Sequence, residues 1–234
     1  MGDALTEARR IYNRLWRQST VALKSGGWQI DAHLQKGKKD PRRGATLVAR
    51  PDAKIQERVG RFLHAAAGIS PGQYYYQPAQ LHLTVLAVIP GSTSWRKDIH
   101  RLPPCRKVLA QVLKNHPAFS VRFRGVTVSP DAVLIQGFPR GEILARLRDD
   151  LRNALRDAGV GENLDRRYKI AAAHLTVMRF ANPKADWRGL RDFLHSHRDT
   201  DFGEMRFCSL PLVWSDWCAS TGVARTLDEY TLKT

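Results

Sequence analysis

The sequence predicts an α+β fold of two similar lobes that flank a groove. Three observations carry this expectation. First, the tetrapeptide His-Leu-Thr-Val occurs twice, as His82-Leu83-Thr84-Val85 and as His174-Leu175-Thr176-Val177. Second, both copies sit in apolar runs, residues 81–89 and 170–180, that read as short buried strands. Third, each half of the chain offers a strand, a helix and then a motif-bearing strand, although identity between the halves is confined to the motif. With 234 residues, 43% of them hydrophobic, the chain can bury a core as one bilobed domain or two small ones.

Taken in order, residues 5–23 form an amphipathic helix with Ile11, Leu15 and Trp16 on its apolar side. A polar stretch over 25–44, with Lys36, Lys38, Lys39, Arg42 and Arg43, reads as a solvated loop. A strand at 45–50 and a helix at 53–67 ending near Gly68 come next. Residues 74–77 lead through Pro78 into the first motif strand, which Pro90-Gly91 is expected to terminate. Pro103-Pro104 opens a helix at about 105–115, since proline is tolerated in a first turn. Alternation over 119–128, the turn Ser129-Pro130-Asp131 and the run 132–138 predict a hairpin. The helix at 142–158 carries Ile143, Leu147, Leu151 and Leu155 at four-residue spacing, with Arg146, Arg148, Arg152 and Arg156 assigned to its polar surface. Gly159 and Gly161 stop it. After the second motif strand, a helix at 185–196 and apolar strands at 205–214 and 224–232 complete the reading.

Strand side chains alternate faces, so His82 and Thr84 share one face, as do His174 and Thr176. If the two strands lie side by side, two imidazoles and two hydroxyls form one cluster. Paired imidazoles serve as general base and general acid near neutral pH, and the hydroxyls suit an anionic, phosphate-like group. No metal is suggested by the ligand spacing and no cofactor is expected. His195-Ser-His197 has no third ligand nearby and reads as a helix end. For Tyr74, Tyr75 and Tyr76, stacking on a base and strand packing are both open readings; Trp214 and Trp217 near Asp216 invite the same two readings, with packing favoured.

A formal net charge of +16 and a pI near 10.3 favour a polyanionic partner, nucleic acid before an anionic membrane. Arginine supplies much of that charge and suits bidentate phosphate contact; a merely solvated basic surface is the alternative. Cys105, Cys208 and Cys218 are widely spaced and odd in number, which predicts a reducing compartment without a disulfide framework. No apolar run approaches membrane-spanning length, and residues 1–18 have no apolar signal core. A cytoplasmic monomer without membrane partners is the expectation.

These residues resemble the two-histidine (2H) phosphoesterase superfamily, whose hallmark is two H-x-T/S-x motifs, one per lobe. The superfamily includes bacterial enzymes named 2′-5′ RNA ligases, cyclic phosphodiesterases of tRNA splicing and phosphodiesterases acting on 2′-5′ oligoadenylates. The resemblance spans roughly residues 45–232. Besides the motifs it includes Phe119-Ser-Val-Arg-Phe-Arg-Gly, the hairpin, the long helix, its glycine stop, Tyr168, and Arg179 after the second motif. It implies two pseudo-symmetric lobes with antiparallel sheets flanking a central groove and helices outside. It divides the chain into a helix and basic-loop extension over 1–44 and a bilobal domain over 45–234. Two departures stand out: that N-terminal extension, and Ala173 where a proline often precedes the second histidine.

By that match His82, Thr84, His174 and Thr176 are the catalytic set, with Arg179, Lys169, Tyr76 and Tyr168 as candidate substrate-binding residues. Arg179 and Lys169 stand at odd spacing from His174, so without a bulge they begin on the opposite strand face. The implied activity is metal-independent phosphodiester hydrolysis at RNA ends bearing a 2′,3′-cyclic phosphate, or at 2′-5′ linkages, with RNA end joining as its reverse. Two alternatives remain. One is the same chemistry on a small cyclic or oligonucleotide signal, and the other is a non-catalytic RNA-binding module, against which the intact motifs argue.

Overall fold

A nine-stranded sheet runs through the residues described by the computed structural model, which are 3–25, 28–34, 39–162, 164–165 and 170–234. The chain begins with α1 (Asp3–Ser25), β1 (Arg43–Ala49), α2 (Ala53–Ile69), the two-residue β2 (Tyr74–Tyr75) and the first motif strand β3 (Leu83–Ser92). Then come α3 (Leu102–Leu113), β4 (Phe119–Ser129), β5 (Ala132–Pro139), α4 (Ile143–Asp157) and the second motif strand β6 (Ala173–Arg179). It closes with α5 (Trp187–Ser196), β7 (Asp201–Phe207), β8 (Ser209–Ser215) and β9 (Arg225–Thr231).

The spatial order is β7-β4-β5-β6-β3-β1-β8-β9, with β2 beside β6 and every named pair antiparallel. The motif strands meet at the centre, and each heads a four-stranded half. This is the expected α+β architecture of two pseudo-symmetric lobes. Its chain path differs from the expected one in two places. The apolar run at 205–214 is two strands: β7 ends at Phe207 and pairs with β4, whereas β8 starts at Ser209 and pairs with β1 at the other end of the sheet. Of the strands after the second motif, β7 therefore completes the second lobe, and β8 and β9 cross over to complete the first. Pro90-Gly91 does not end β3. The ladder to β1 shifts register between Ala45↔Ile89 and Arg43↔Ser92, and proline is tolerated in such a bulge because no ladder bond is needed there. Gly44 lies opposite, where an added Cβ would stand 2.5 Å from the Ile89 carbonyl oxygen.

Local signals fix the helices. The Asp52 carboxylate accepts from the Ile55 backbone N–H and caps α2, whose Ile55, Val59, Phe62, Leu63 and Ala66 are buried at three- and four-residue spacing. Asp186 caps α5 in the same way through the Gly189 N–H. Helix α4 buries Leu144, Leu147, Leu151 and Leu155, and with them Arg148 and Arg152. Those two arginines are therefore not surface residues, as the charge pattern had them. Arg152 forms a two-point ion pair with Asp165, at 2.7 and 3.3 Å.

Helix α1 turns in Tyr12 and Ala8 rather than Ile11, Leu15 and Trp16, which are only half-buried. The far end of the basic stretch is anchored rather than solvated: Arg42 pairs with Asp31 and Asp40 at 2.7 Å each, and Arg43 donates to the Asp40 carbonyl. Lys36 and Lys38 lie outside the described residues. Among the described residues, no helix is long and apolar enough to cross a membrane.

Candidate active site

Leu83 of β3 faces Leu175 of β6 in an antiparallel pair. Continuing that register sets His82 opposite Thr176 and Thr84 opposite His174. The imidazoles thus occupy one diagonal and the hydroxyls the other, and such diagonal positions are about 7–8 Å apart across a sheet. All four side chains line one cavity of about 730 Å³. Leu83 and Leu175, on the opposite face, are fully buried in the core. One pseudo-two-fold relation therefore places both motifs at the bottom of the groove.

The imidazole of His82 is oriented by its own strand approach. Its Nδ1 lies 2.7 Å from the Gln80 carbonyl oxygen; a carbonyl only accepts, so Nδ1 carries the proton and Nε2 is left as the free basic nitrogen. Gln80 is itself fixed, donating to Tyr74 Oη at 2.6 Å and to the Cys218 carbonyl at 3.1 Å. Desolvation in the groove pushes the His82 pKa below its ordinary value, with the Arg50 and Arg179 cations adding to the effect. His174 is pushed further, to about 4, by desolvation first and then by Arg148, His82 and Arg179. Lowered values leave both rings neutral at pH 7, and an anion placed between them favours protonation.

Arg179 reaches this groove because β6 is bulged. Its pairing with β5 shifts register between Val133↔Met178 and Leu134↔Thr176, which reverses the strand's parity after Thr176. Arg179 then lines the same cavity as the motif residues. Its guanidinium donates to Asp131 at 2.5 Å and to Tyr76 Oη at 3.1 Å. Tyr76 lines the same cavity and, although only 3% exposed, accepts this bond from Arg179 through its hydroxyl. Tyr75 is likewise tied down, donating to the Ser70 carbonyl at 2.7 Å. Tyr168 and Lys169 lie outside the described residues.

Sequence reasoning missed two contributors, Arg148 and Arg50, and favoured packing for a third, Trp217. Arg148, at 2% exposure, donates to the carbonyl oxygens of Thr84, Val85, Ala171 and Ala172 at 2.7–3.1 Å. It ties the back of the first motif strand to the approach of the second. Burial lowers its pKa to about 10, so it stays charged at neutral pH. Arg50 lines the cavity, donating to the Ala79 carbonyl. Trp217 forms part of the wall, with the guanidinium carbons of Arg42 and Arg179 lying 5.0 and 5.5 Å from its ring centre. Asp216 beside it accepts from the Cys218 and Ser220 backbone N–H groups. His195 and His197 stand at the end of α5, away from the groove, with His197 Nδ1 2.8 Å from the Phe193 carbonyl oxygen. Among the described residues, no group of three or more His, Cys, Asp or Glu side chains is placed to hold a metal ion.

The sequence profile of the 2′-5′ RNA ligase superfamily matches residues 51–216, which include both motifs. The chain belongs to the 2′-5′ RNA ligase superfamily. This is the 2H phosphoesterase group that the paired motifs resemble, and membership implies an enzyme of phosphodiesterase chemistry. Solved structures share the 2H fold at low identity. TT0787 of Thermus thermophilus superposes with a TM-score of 0.54 at 20% identity, covering 82% of this chain and 97% of that one. LigT of E. coli in its apo form gives 0.53 at 15%, covering 82% and 99%. A protein described as a phosphoesterase gives 0.55 at 14%, again covering 82% and 99%. No curated protein matches the sequence.

Proposed function

We propose that this 2H phosphoesterase is a metal-independent phosphodiesterase acting on nucleotide substrates, either RNA ends with a 2′,3′-cyclic phosphate or 2′-5′ linkages. The diagonal placement of His82 and His174 around one groove carries the reading. A phosphorus atom between them exposes the attacking and leaving oxygens to different rings. One imidazole takes a proton from water as the new P–O bond forms. The other gives a proton to the ribose oxygen as the old P–O bond breaks. Thr84 and Thr176, on the other diagonal, donate to the non-bridging oxygens where charge accumulates. Arg179 adds positive charge from the groove wall. With a ribose 5′-hydroxyl in place of water as the nucleophile, the same proton transfers join two ends: the new P–O bond forms as the P–O bond to the 3′ oxygen of the cyclic phosphate breaks, which leaves a 2′-5′ linkage.

Two observations support a nucleotide as the partner. The net charge of +16 favours a polyanion, and the LigT protein that shares the fold has been crystallised with 3′-AMP and with ATP. The carboxylates that line the groove, Asp131, Asp165 and Asp216, are engaged by Arg179, by Arg152 and by the Cys218 and Ser220 N–H groups, which favours imidazoles and hydroxyls as the reacting set. Hydrolysis of a nucleoside 2′,3′-cyclic phosphate should therefore proceed at an unchanged rate in excess EDTA. Loss of activity on chelation, with recovery on adding a divalent ion, would assign the chemistry to a metal centre instead.

A further inference from the structure

The groove is asymmetric, and the N-terminal helix makes it so. On the first-lobe side its floor continues from β3 across β1 to β8, through Thr46, Arg50, Val213 and Ser215. On the second-lobe side Thr176 is followed by Leu134 of β5 and then by Thr127 of β4, each paired with the next. There the floor is covered. Thr127 has no exposure and donates to the Tyr12 carbonyl of α1 at 3.0 Å. The Tyr12 ring meets Phe138 edge-on at 5.6 Å, and its hydroxyl donates to the Ala173 carbonyl at 2.8 Å, beside His174. Ile11, Arg14 and Leu15 of the same helix form the cavity wall on that side.

Strands in a sheet are about 4.8 Å apart, so α1 stands over the second strand beyond the motif, roughly 10 Å from Thr176. A cavity of about 730 Å³ is of small-ligand size, within the usual range of about 300–1,000 Å³. The space between the histidines and α1 takes water or a short group, whereas a polynucleotide flank is excluded. The opposite side, with Arg50 as a cation on its floor, stays open to a nucleoside and its 5′ continuation.

We infer that α1 is a specificity element that makes the groove one-sided, selecting phosphodiesters at the end of a substrate over those flanked by nucleotides on both sides. This rests on the phosphodiesterase reading above. Within it, the helix favours terminal 2′,3′-cyclic phosphates, with the attacking water entering beneath Ile11 and Leu15.

The test compares kcat/KM of the full chain on a nucleoside 2′,3′-cyclic phosphate, on a dodecamer ending in that cyclic phosphate, and on a dodecamer with one internal 2′-5′ linkage. The first two should be turned over and the third should be at least about a hundredfold slower, the scale of a misplaced reacting group. Ile11→Ala combined with Leu15→Ala should narrow that gap about tenfold, which is about 1.4 kcal/mol at the transition state. Leu15→Trp should widen it. An internal linkage cleaved as fast as the terminal one overturns the inference whether or not the variants fold. So does a gap that the folded double variant leaves unchanged. If the wild-type protein fails even on the cyclic mononucleotide, which α1 admits, the phosphodiesterase reading itself is wrong.

Discussion

His82→Ala and His174→Ala should each lower turnover of a 2′,3′-cyclic phosphate by about two to four orders of magnitude, the usual worth of a general acid or base. The rings sit on one diagonal of the β3–β6 crossing, so either loss leaves a proton without a carrier. The double variant should be little worse than either single one, because the pair works as a unit. Thr84→Ala and Thr176→Ala should cost about ten- to a hundredfold, since each removes one hydrogen bond to a charged oxygen. Steady-state kinetics on variants shown to be folded by their circular dichroism checks this. Full activity in either histidine variant would remove that residue from the chemistry.

The second large effect concerns stability and comes from Arg148. Its guanidinium bridges four carbonyls of the two motif approaches in a site with 2% exposure. Burying the cation is itself costly, as its lowered pKa shows, so its net worth is less than four charged hydrogen bonds. Arg148→Met should nevertheless destabilise the fold by about 2–4 kcal/mol, because carbonyls left without a donor keep their full desolvation penalty. Urea denaturation measures this as a lower midpoint at similar slope. A purely structural role would leave His174 alone. Loss of the nearby cation should instead raise the His174 pKa in the variant, since Arg148 is the largest charge contribution depressing it. An unchanged midpoint would show that the four bonds contribute nothing.

Much of this was legible in the residues. The two His-x-Thr pairs dictated which faces carry chemistry, because strand periodicity leaves no freedom once the apolar partners Leu83 and Leu175 must be buried. Other features depend on long-range pairing and were hidden. The side of the strand taken by Arg179 is decided by a bulge that only the ladder to β5 reveals. The break at Cys208 lies inside a largely apolar stretch, since Phe207 and Leu210 are both buried, though in different lobes. Arg148 and Arg152 looked like surface charge, yet they fall within the stripe formed by Leu144, Leu147, Leu151 and Leu155. An arginine on the apolar side of a helix was the available signal. Tyr12 gave a weaker one, being a lone tyrosine among the exposed arginines of α1.

The most direct test is to titrate the two groove imidazoles by NMR, in EDTA, with and without inorganic phosphate. In the free protein both should titrate below the ordinary histidine range, His174 near pH 4. Folded values below the unfolded ones mean that the pair contributes stability fully above about pH 6.5, and that this contribution is lost as the pH falls towards the folded values. Phosphate should raise at least one of the two pKa values and bind more tightly as the pH drops, because the anion and the imidazolium stabilise each other. Two histidines that titrate near 6.5 and do not respond to phosphate would contradict a shared anion site between His82 and His174.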